Sequence, residues 1–377
     1  MNVTELRLMG FRNYEELCFT PSNRINILVG QNAQGKSNLL EALFMLATTK
    51  SLRASKESEL IYHTEFAEAT NASICADIFR ERDGEALLEI HLSTTEKRAI
   101  KVNGVRKPRA IDLLGNLNAV FFGSVELGIV SGEPSLRRRY LDLELSQISP
   151  KYVYNLASYK KILEQRNRLL KELRDRPFKN SGLEAWTDQL VQIGSALMEK
   201  RQFFLENIAP MADEKHRYLT GNAESLEVKY LPSIEVASGS SPEKFADAFY
   251  EAMRGVESEE IRRGTTIVGP HRDDLQFFIN GKDARAFGSQ GQQRTVALAL
   301  KLAEYGLMES HVGEAPILLL DDVLSDLDDA RRKCLLEHVE SHGQTFITCT
   351  NTRAFPKSAL DCASEFQVSA GRLAKVK

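Results

Sequence analysis

Gly30, Gln31, Asn32, Ala33, Gln34, Gly35, Lys36 and Ser37 fit the phosphate-binding pattern G-x-x-x-x-G-K-[ST] at every constrained position. The two glycines let backbone N–H groups turn inward around phosphate oxygens, and a following helix N-terminus adds partial positive charge. At this spacing the Lys36 ammonium is expected to reach the β- and γ-phosphates, and the Ser37 hydroxyl to ligate Mg²⁺. A Gly-rich turn can match the pattern by chance, so the flanks decide. Residues 24–29, Arg-Ile-Asn-Ile-Leu-Val, read as a strand, and the run from Asn38, Asn-Leu-Leu-Glu-Ala-Leu-Phe-Met-Leu, reads as a helix. That is the context the motif requires. A nucleoside-triphosphate site is expected.

A phosphate loop alone hydrolyses nothing. Pro316-Ile-Leu-Leu-Leu-Asp321-Asp322 is an apolar strand ending in two carboxylates. Buried in a parallel sheet, such a strand delivers its C-terminal acids beside the phosphate loop. Asp321 is then expected to hold Mg²⁺ through water, and Asp322 to orient or deprotonate the attacking water. Read in isolation, the same run could be a core strand followed by a solvated turn. Ser289-Gln-Gly291-Gln292-Gln293 opens a long helical pattern with Ser289 as N-cap, a second anion-binding helix terminus.

The elements that must position these groups alternate in texture. Residues 1–30 read as short strands, and 67–105 as a meander with hairpin turns at Asp83-Gly84 and Asn103-Gly104. After Pro150 the periodicity becomes helical, over 151–174 and 183–211, with a break short enough to fold the two helices back as a pair. A linker-like stretch at 237–242 and a short helix to about 263 follow. From 267 strands and helices of the first texture resume: a strand at 275–280, helices at 289–308 and 329–340, and strands at 316–320 and 345–349. The expected architecture is an α/β domain of residues 1–123 and 264–377, interrupted by a helical insertion at 124–263 with its helix pair near 151–211.

Composition bounds the function. A chain of 377 residues with 42% hydrophobic and 27% charged residues is ordinary for a soluble globular protein of one large or two domains. The formal net charge of −3 excludes a global basic signature, so any nucleic-acid contact must be a local patch. Five widely spaced cysteines without ligand spacing, an early-charged N-terminus and no apolar run near the roughly 18 residues of a membrane span predict a reduced, cytoplasmic chain.

The Ser289 segment resembles the S-x-G-Q signature of ABC-type ATPases, which closes on the γ-phosphate held by the other subunit of a dimer. Order strengthens this: signature, acidic strand, then Leu324-Ser325-Asp326-Leu327-Asp328, which resembles the D-loop. Gly10-Phe-Arg12-Asn13-Tyr14, Gly132-Glu-Pro-Ser-Leu-Arg137-Arg138-Arg139-Tyr-Leu-Asp142, Gln165-Arg-Asn167 and Gly269-Pro-His271-Arg-Asp-Asp-Leu275 then point to one family. They lie in family order across essentially the whole chain. It resembles the RecF family, recombination-mediator ATPases related to the heads of Rad50 and the chromosome-structuring proteins. Two departures stand out: Ser124-Val-Glu126 replaces the usual Pro-Glu-Asp or Pro-Glu-Gly, and Asp326 replaces a glutamate.

The resemblance implies ATP and Mg²⁺ as cofactors, slow hydrolysis, an ATP-dependent homodimer that grips double-stranded DNA, and a RecR-type mediator protein as partner. It implies recombinational repair, replication-gap processing and recombinase loading. Arg12 and Asn13 are implied to approach the nucleotide. His271 has two readings, phosphate support or loop anchor, and Thr350 sits where related ATPases carry a switch residue. Candidate DNA contacts are Arg137, Arg138 and Arg139, with Arg106, Lys107, Arg109, Lys160 and Lys161. Basic clusters are more often solvated or internally paired faces, and Arg137 to Arg139 could equally be structural. Two alternatives remain, a transporter-type ATPase subunit and a Rad50-like tether. The family segments oppose the first. The second needs a coil far longer than roughly 140 inserted residues at about 1.5 Å each.

Overall fold

The computed structural model describes residues 1–63, 70–176 and 182–376; the predicted break between the two long helices falls largely on 177–181, outside them. The chain forms two compact units. The first comprises Met1–Leu127, Glu214–Glu224 and Arg294–Lys377, the second Gly128–Asp213 and Ser225–Gln293.

Two six-stranded sheets build the first unit. One runs, in spatial order, Arg372–Lys375, Ala363–Ser369, Ile25–Val29, Thr345–Cys349, Ile317–Asp321 and Ala119–Phe122. All its pairings are parallel except that of the edge strand Arg372–Lys375. Every residue of Ile25–Val29, Thr345–Cys349 and Ile317–Asp321 is buried, which explains why these strands read as continuous apolar runs rather than alternating ones. Because they are parallel, their C-terminal ends share one edge. Leu28 pairs with Thr348 and Thr348 with Asp321, so the register delivers the phosphate loop and the acidic pair to neighbouring positions.

The other sheet is antiparallel, in the order Tyr14–Phe19, Asn2–Phe11, Asn71–Arg80, Gly84–Ser93, Ala99–Val102 and Val105–Lys107. Its strands alternate: Ile74, Ala76, Leu88 and Ile90 are buried, while Cys75, Glu89 and His91 on the opposite face are half-exposed. Asn103 and Gly104 both have positive φ (52° and 74°), the mirror-image turn that suits a two-residue hairpin.

The second unit carries helices Pro134–Ile148, Pro150–Asp175 and Pro242–Arg263 and most of Leu183–Leu219. The strand Asp274–Ile279, which by sequence belongs with the resumed α/β texture, pairs instead with Leu226–Leu231 in a three-stranded sheet of this unit. Its alternating burial suits an antiparallel sheet with one solvated face.

Buried arginines hold the helices of the second unit together. Arg166, 1% exposed, donates to Glu260 at 2.7 Å, Thr266 at 2.8 Å and Thr187 at 3.2 Å, linking three helices and a loop. Glu260→Ala is expected to leave that guanidinium buried without its counter-charge and to cost about 3–5 kcal/mol. Chemical denaturation of the variant checks this. A loss below about 1 kcal/mol would show that the ion pair contributes little.

Candidate nucleotide site

The helix Lys36–Thr48 starts on Gly35, whose φ of 114° is open to glycine and hostile to other residues. A Cβ there would lie 2.6 Å from Asn13 Nδ2 and 3.0 Å from the Tyr14 hydroxyl. No side chain caps the helix and no acid sits in its first turn, so its N–H groups remain available to an anion. Lys36 is buried and its ammonium donates to the carbonyls of Gly30 at 2.6 Å and Gln31 at 2.9 Å, which arches it over the loop.

A cavity of about 360 Å³ opens beside this loop within the first unit. From the loop and helix it is lined by Asn32, Ala33, Gly35, Lys36, Ser37 and Asn38, and from the sheet edge by Asp321, Asp322 and Thr348. Gly30, Gln31 and Gln34 shape the loop from behind. Gly30 packs so closely on Val368 that a Cβ would meet its carbonyl oxygen at 2.3 Å.

Asp321 is the hub. Its Oδ1 accepts from the Ser37 hydroxyl at 2.7 Å and from Thr348 at 2.8 Å; its Oδ2 meets Arg53 at 2.7 Å. A carboxylate and a hydroxyl at hydrogen-bond distance form the hard-oxygen donor set that suits Mg²⁺, so the residues present fit that ion. Asp322 has a left-handed backbone, φ 55°, fixed by its N–H to the Thr348 hydroxyl at 2.9 Å and its carbonyl to the Ser325 hydroxyl at 2.8 Å. This non-glycine strain lies where the cavity is lined by its carboxylate-bearing residue.

Sequence reasoning missed the cavity residues Arg53, Arg294, Val323 and Thr348, and of the segment Phe122, Gly123, Ser124 and Leu127 it had singled out Ser124 alone. Glu126 lies between lining residues but is not one of them. Thr348 was detectable as a hydroxyl inside a fully buried strand. Thr350, the expected switch position, accepts from the Asn351 amide at 3.4 Å, a weak geometry, while Thr348 binds both members of the acidic pair.

Arg12 and Asn13 sit behind the loop. Arg12 forms a two-pronged ion pair with buried Glu41 at 2.9 and 3.1 Å and donates to the Glu59 carbonyl at 2.8 Å. Asn13 donates to the Gln34 carbonyl at 2.9 Å and accepts from Asn38 at 2.8 Å. Neither lines the cavity. They brace the loop and its helix.

In the second unit Ser289 and Gln292 satisfy each other at the start of the helix Gln290–Val312. The Gln292 N–H donates to the Ser289 hydroxyl at 3.2 Å, and the Ser289 N–H to the Gln292 side chain at 2.9 Å. This capping box confirms Ser289 as N-cap. Gly291 is exposed, and a Cβ there would meet only the Ser289 hydroxyl, at 3.9 Å. Asp328 caps the helix Asp329–Ser341 by accepting from the Arg331 N–H at 2.9 Å. The side chain of Asp326 lies outside the described residues.

Of the basic candidates, Arg137 is turned inward: 3% exposed, it pairs with Asp274 at 2.6 and 2.9 Å. Arg138 is half-buried and donates to the Asp273 carbonyl at 2.9 Å. Arg139, Arg106, Arg109, Lys160 and Lys161 are exposed, and Lys107 is half-exposed on an edge strand. Arg109 lies 3.6 Å from Asp112, and Lys160 3.6 Å from Asp142. His271 accepts from or donates to the Tyr159 hydroxyl at 2.7 Å and the Thr266 carbonyl at 3.2 Å. Burial pushes its pKa down to about 4, so it is a neutral anchor at pH 7.

Known proteins resemble this chain in sequence and fold. The model of the RecF/RecN/SMC N terminal domain matches residues 2–369. A curated relative from Oceanobacillus iheyensis, the DNA replication and repair protein RecF, is 43% identical over 98% of this chain and 99% of its own length. A solved structure of the recombination mediator protein RecF-ATP in the RecFOR pathway superposes with a TM-score of 0.90 at 32% identity, covering 100% of this chain and 97% of the other. The Smc head domain of Pyrococcus furiosus shares the fold alone, at a TM-score of 0.56 and 18% identity over 99% of this chain and 95% of the other. The chain belongs to the RecF family of ABC-type ATPases of DNA replication and repair.

Proposed function

We propose that this chain is an ATP-gated DNA clamp, in which two copies close around two ATP molecules and grip double-stranded DNA. The observation that carries this is the convergence of Lys36, Ser37, Asp321 and Asp322 on one cavity. Lys36, Asn32 to Ser37 and Asn38 hold the triphosphate, with Arg12 and Asn13 supporting the loop from behind. Ser37 and Asp321 would hold Mg²⁺, which when bound neutralises charge on the β- and γ-phosphates. Arg53, now paired with Asp321, gains a second partner in the γ-phosphate when nucleotide enters. Asp322 orients the attacking water and takes its proton.

The signature turn of one copy, Ser289, Gly291 and Gln292, completes the site of the other. Its exposed glycine admits a close approach, and its helix terminus favours the γ-phosphate charge. Ser325 and Asp328 stiffen the turn after the acidic pair. Dimer affinity thus depends on the γ-phosphate, and hydrolysis releases the grip. In this reading a RecR-type mediator protein is the partner and the cytoplasm the place of action. The residues 124–263 act as the inserted lid domain. Among the described residues no helix is long and apolar enough to cross a membrane.

For DNA, the exposed cations Arg139, Arg106, Arg109, Lys160 and Lys161 are favoured over inward-turned Arg137. Such contacts bind phosphates without reading sequence. The affinity for duplex DNA is expected to be higher with ATP than without, falling with salt at a logarithmic slope of about −0.9 per phosphate contacted. Fluorescence anisotropy across a salt series measures both. Equal affinity with and without ATP would end the clamp reading.

A further inference from the structure

We propose that Cys75, Glu89 and His91 form a binding site for a divalent metal ion of the zinc class, on the half-exposed face of the antiparallel sheet. The three side chains come from the neighbouring strands Asn71–Arg80 and Gly84–Ser93. Cys75 lies directly opposite Glu89 in the register, and His91 is two residues along from Glu89. The pleat therefore turns all three to one side.

One ligand atom from each group lies within 4.8 Å of the others. The Cys75 thiol is 4.0 Å from Glu89 Oε1, and His91 Nε2 is 3.7 Å from the same oxygen. Tetrahedral ligands at metal distances of about 2.0–2.3 Å stand roughly 3.3–3.8 Å apart, so side-chain rotation closes the set without backbone movement. His91 Nε2 is shielded from solvent and has no hydrogen-bond partner among the described residues, a state that metal ligation would relieve. The ligand triple of thiolate, imidazole and carboxylate selects a borderline-soft ion over Mg²⁺ or Ca²⁺. Water would fill the fourth position.

Two cations flank the triple, Arg7 opposite Cys75 and Lys101 opposite Glu89. Arg7 is engaged by Glu5 and Asp77, each at 2.8 Å. The ion enters as the dication, and the Cys75 thiol proton leaves to solvent. Bound metal would then join two adjacent strands through their side chains, on the face away from the core.

Cobalt titration of the full, nucleotide-free chain tests the site. One equivalent is expected to produce a thiolate-to-cobalt charge-transfer band that zinc abolishes. A cation at Ser37 and Asp321 has no thiolate and gives no such band. Cys75→Ser is expected to remove the band, and His91→Ala and Glu89→Gln each to weaken zinc binding by more than about tenfold. Binding of a fluorescent ATP analogue, unchanged in all three variants, reports that they are folded. A band that survives in Cys75→Ser, or zinc affinity equal in all variants and the parent, would overturn the proposal.

Discussion

Lys36→Met is expected to abolish ATP binding and, with it, ATP-dependent dimer formation. Methionine keeps the unbranched stem and removes only the charged head, so packing along the loop is preserved. The ammonium is already placed by the Gly30 and Gln31 carbonyls, at 2.6 and 2.9 Å, and loses little freedom on meeting phosphate. Charge-assisted hydrogen bonds contribute about 1.5–3 kcal/mol each, so losing two weakens binding by roughly 10²- to 10⁴-fold. Sedimentation velocity with and without ATP, alongside equilibrium binding of labelled ATP, reads both consequences. Circular dichroism establishes that the variant is folded. A folded Lys36→Met protein that still dimerises with ATP would remove the nucleotide from the dimer interface.

The parts of the site that sequence revealed are those whose physics is local. The phosphate loop is eight contiguous residues whose glycines and lysine announce their backbone, and Ile317–Asp321 is an apolar run that ends where its acids begin. Ser289 and Gln292 form their cap within one helical turn. What escaped notice depends on chain closure. Arg53 and Asp321 are 268 residues apart, and nothing near Arg53 marks it as a partner for the acidic strand. A buried strand marks Thr348 as an enclosed hydroxyl, but the register is what sets it beside Asp321. The basic triplet divides for a related reason: Arg137, Arg138 and Arg139 are adjacent in sequence, yet helical geometry turns Arg137 toward Asp274 and leaves Arg139 exposed. The strand Asp274–Ile279 reads the same whichever sheet it joins, because its alternating pattern fixes its faces and not its neighbour.

Asp322→Asn is expected to trap the ATP-bound dimer. The substitution is nearly isosteric, and asparagine tolerates the left-handed backbone held at φ 55°. The bonds that fix this conformation involve the residue's backbone N–H and carbonyl, with Thr348 and Ser325, so they survive the change. The proton acceptor is lost. Losing a general base typically lowers turnover by about 10²- to 10⁴-fold, while the charges that hold phosphate and Mg²⁺ remain on Lys36 and Asp321. The variant should therefore bind ATP at least as tightly as the parent and persist as a dimer after ATP is added. Adding Ser289→Arg to the same chain separates the two halves of the proposed site. The double variant is expected to bind ATP as a monomer, because the signature turn is blocked while Lys36, Ser37 and Asp321 are untouched. Normal turnover by Asp322→Asn would assign the water to another group, and a dimer that persists in the double variant would place the contact between copies away from Ser289.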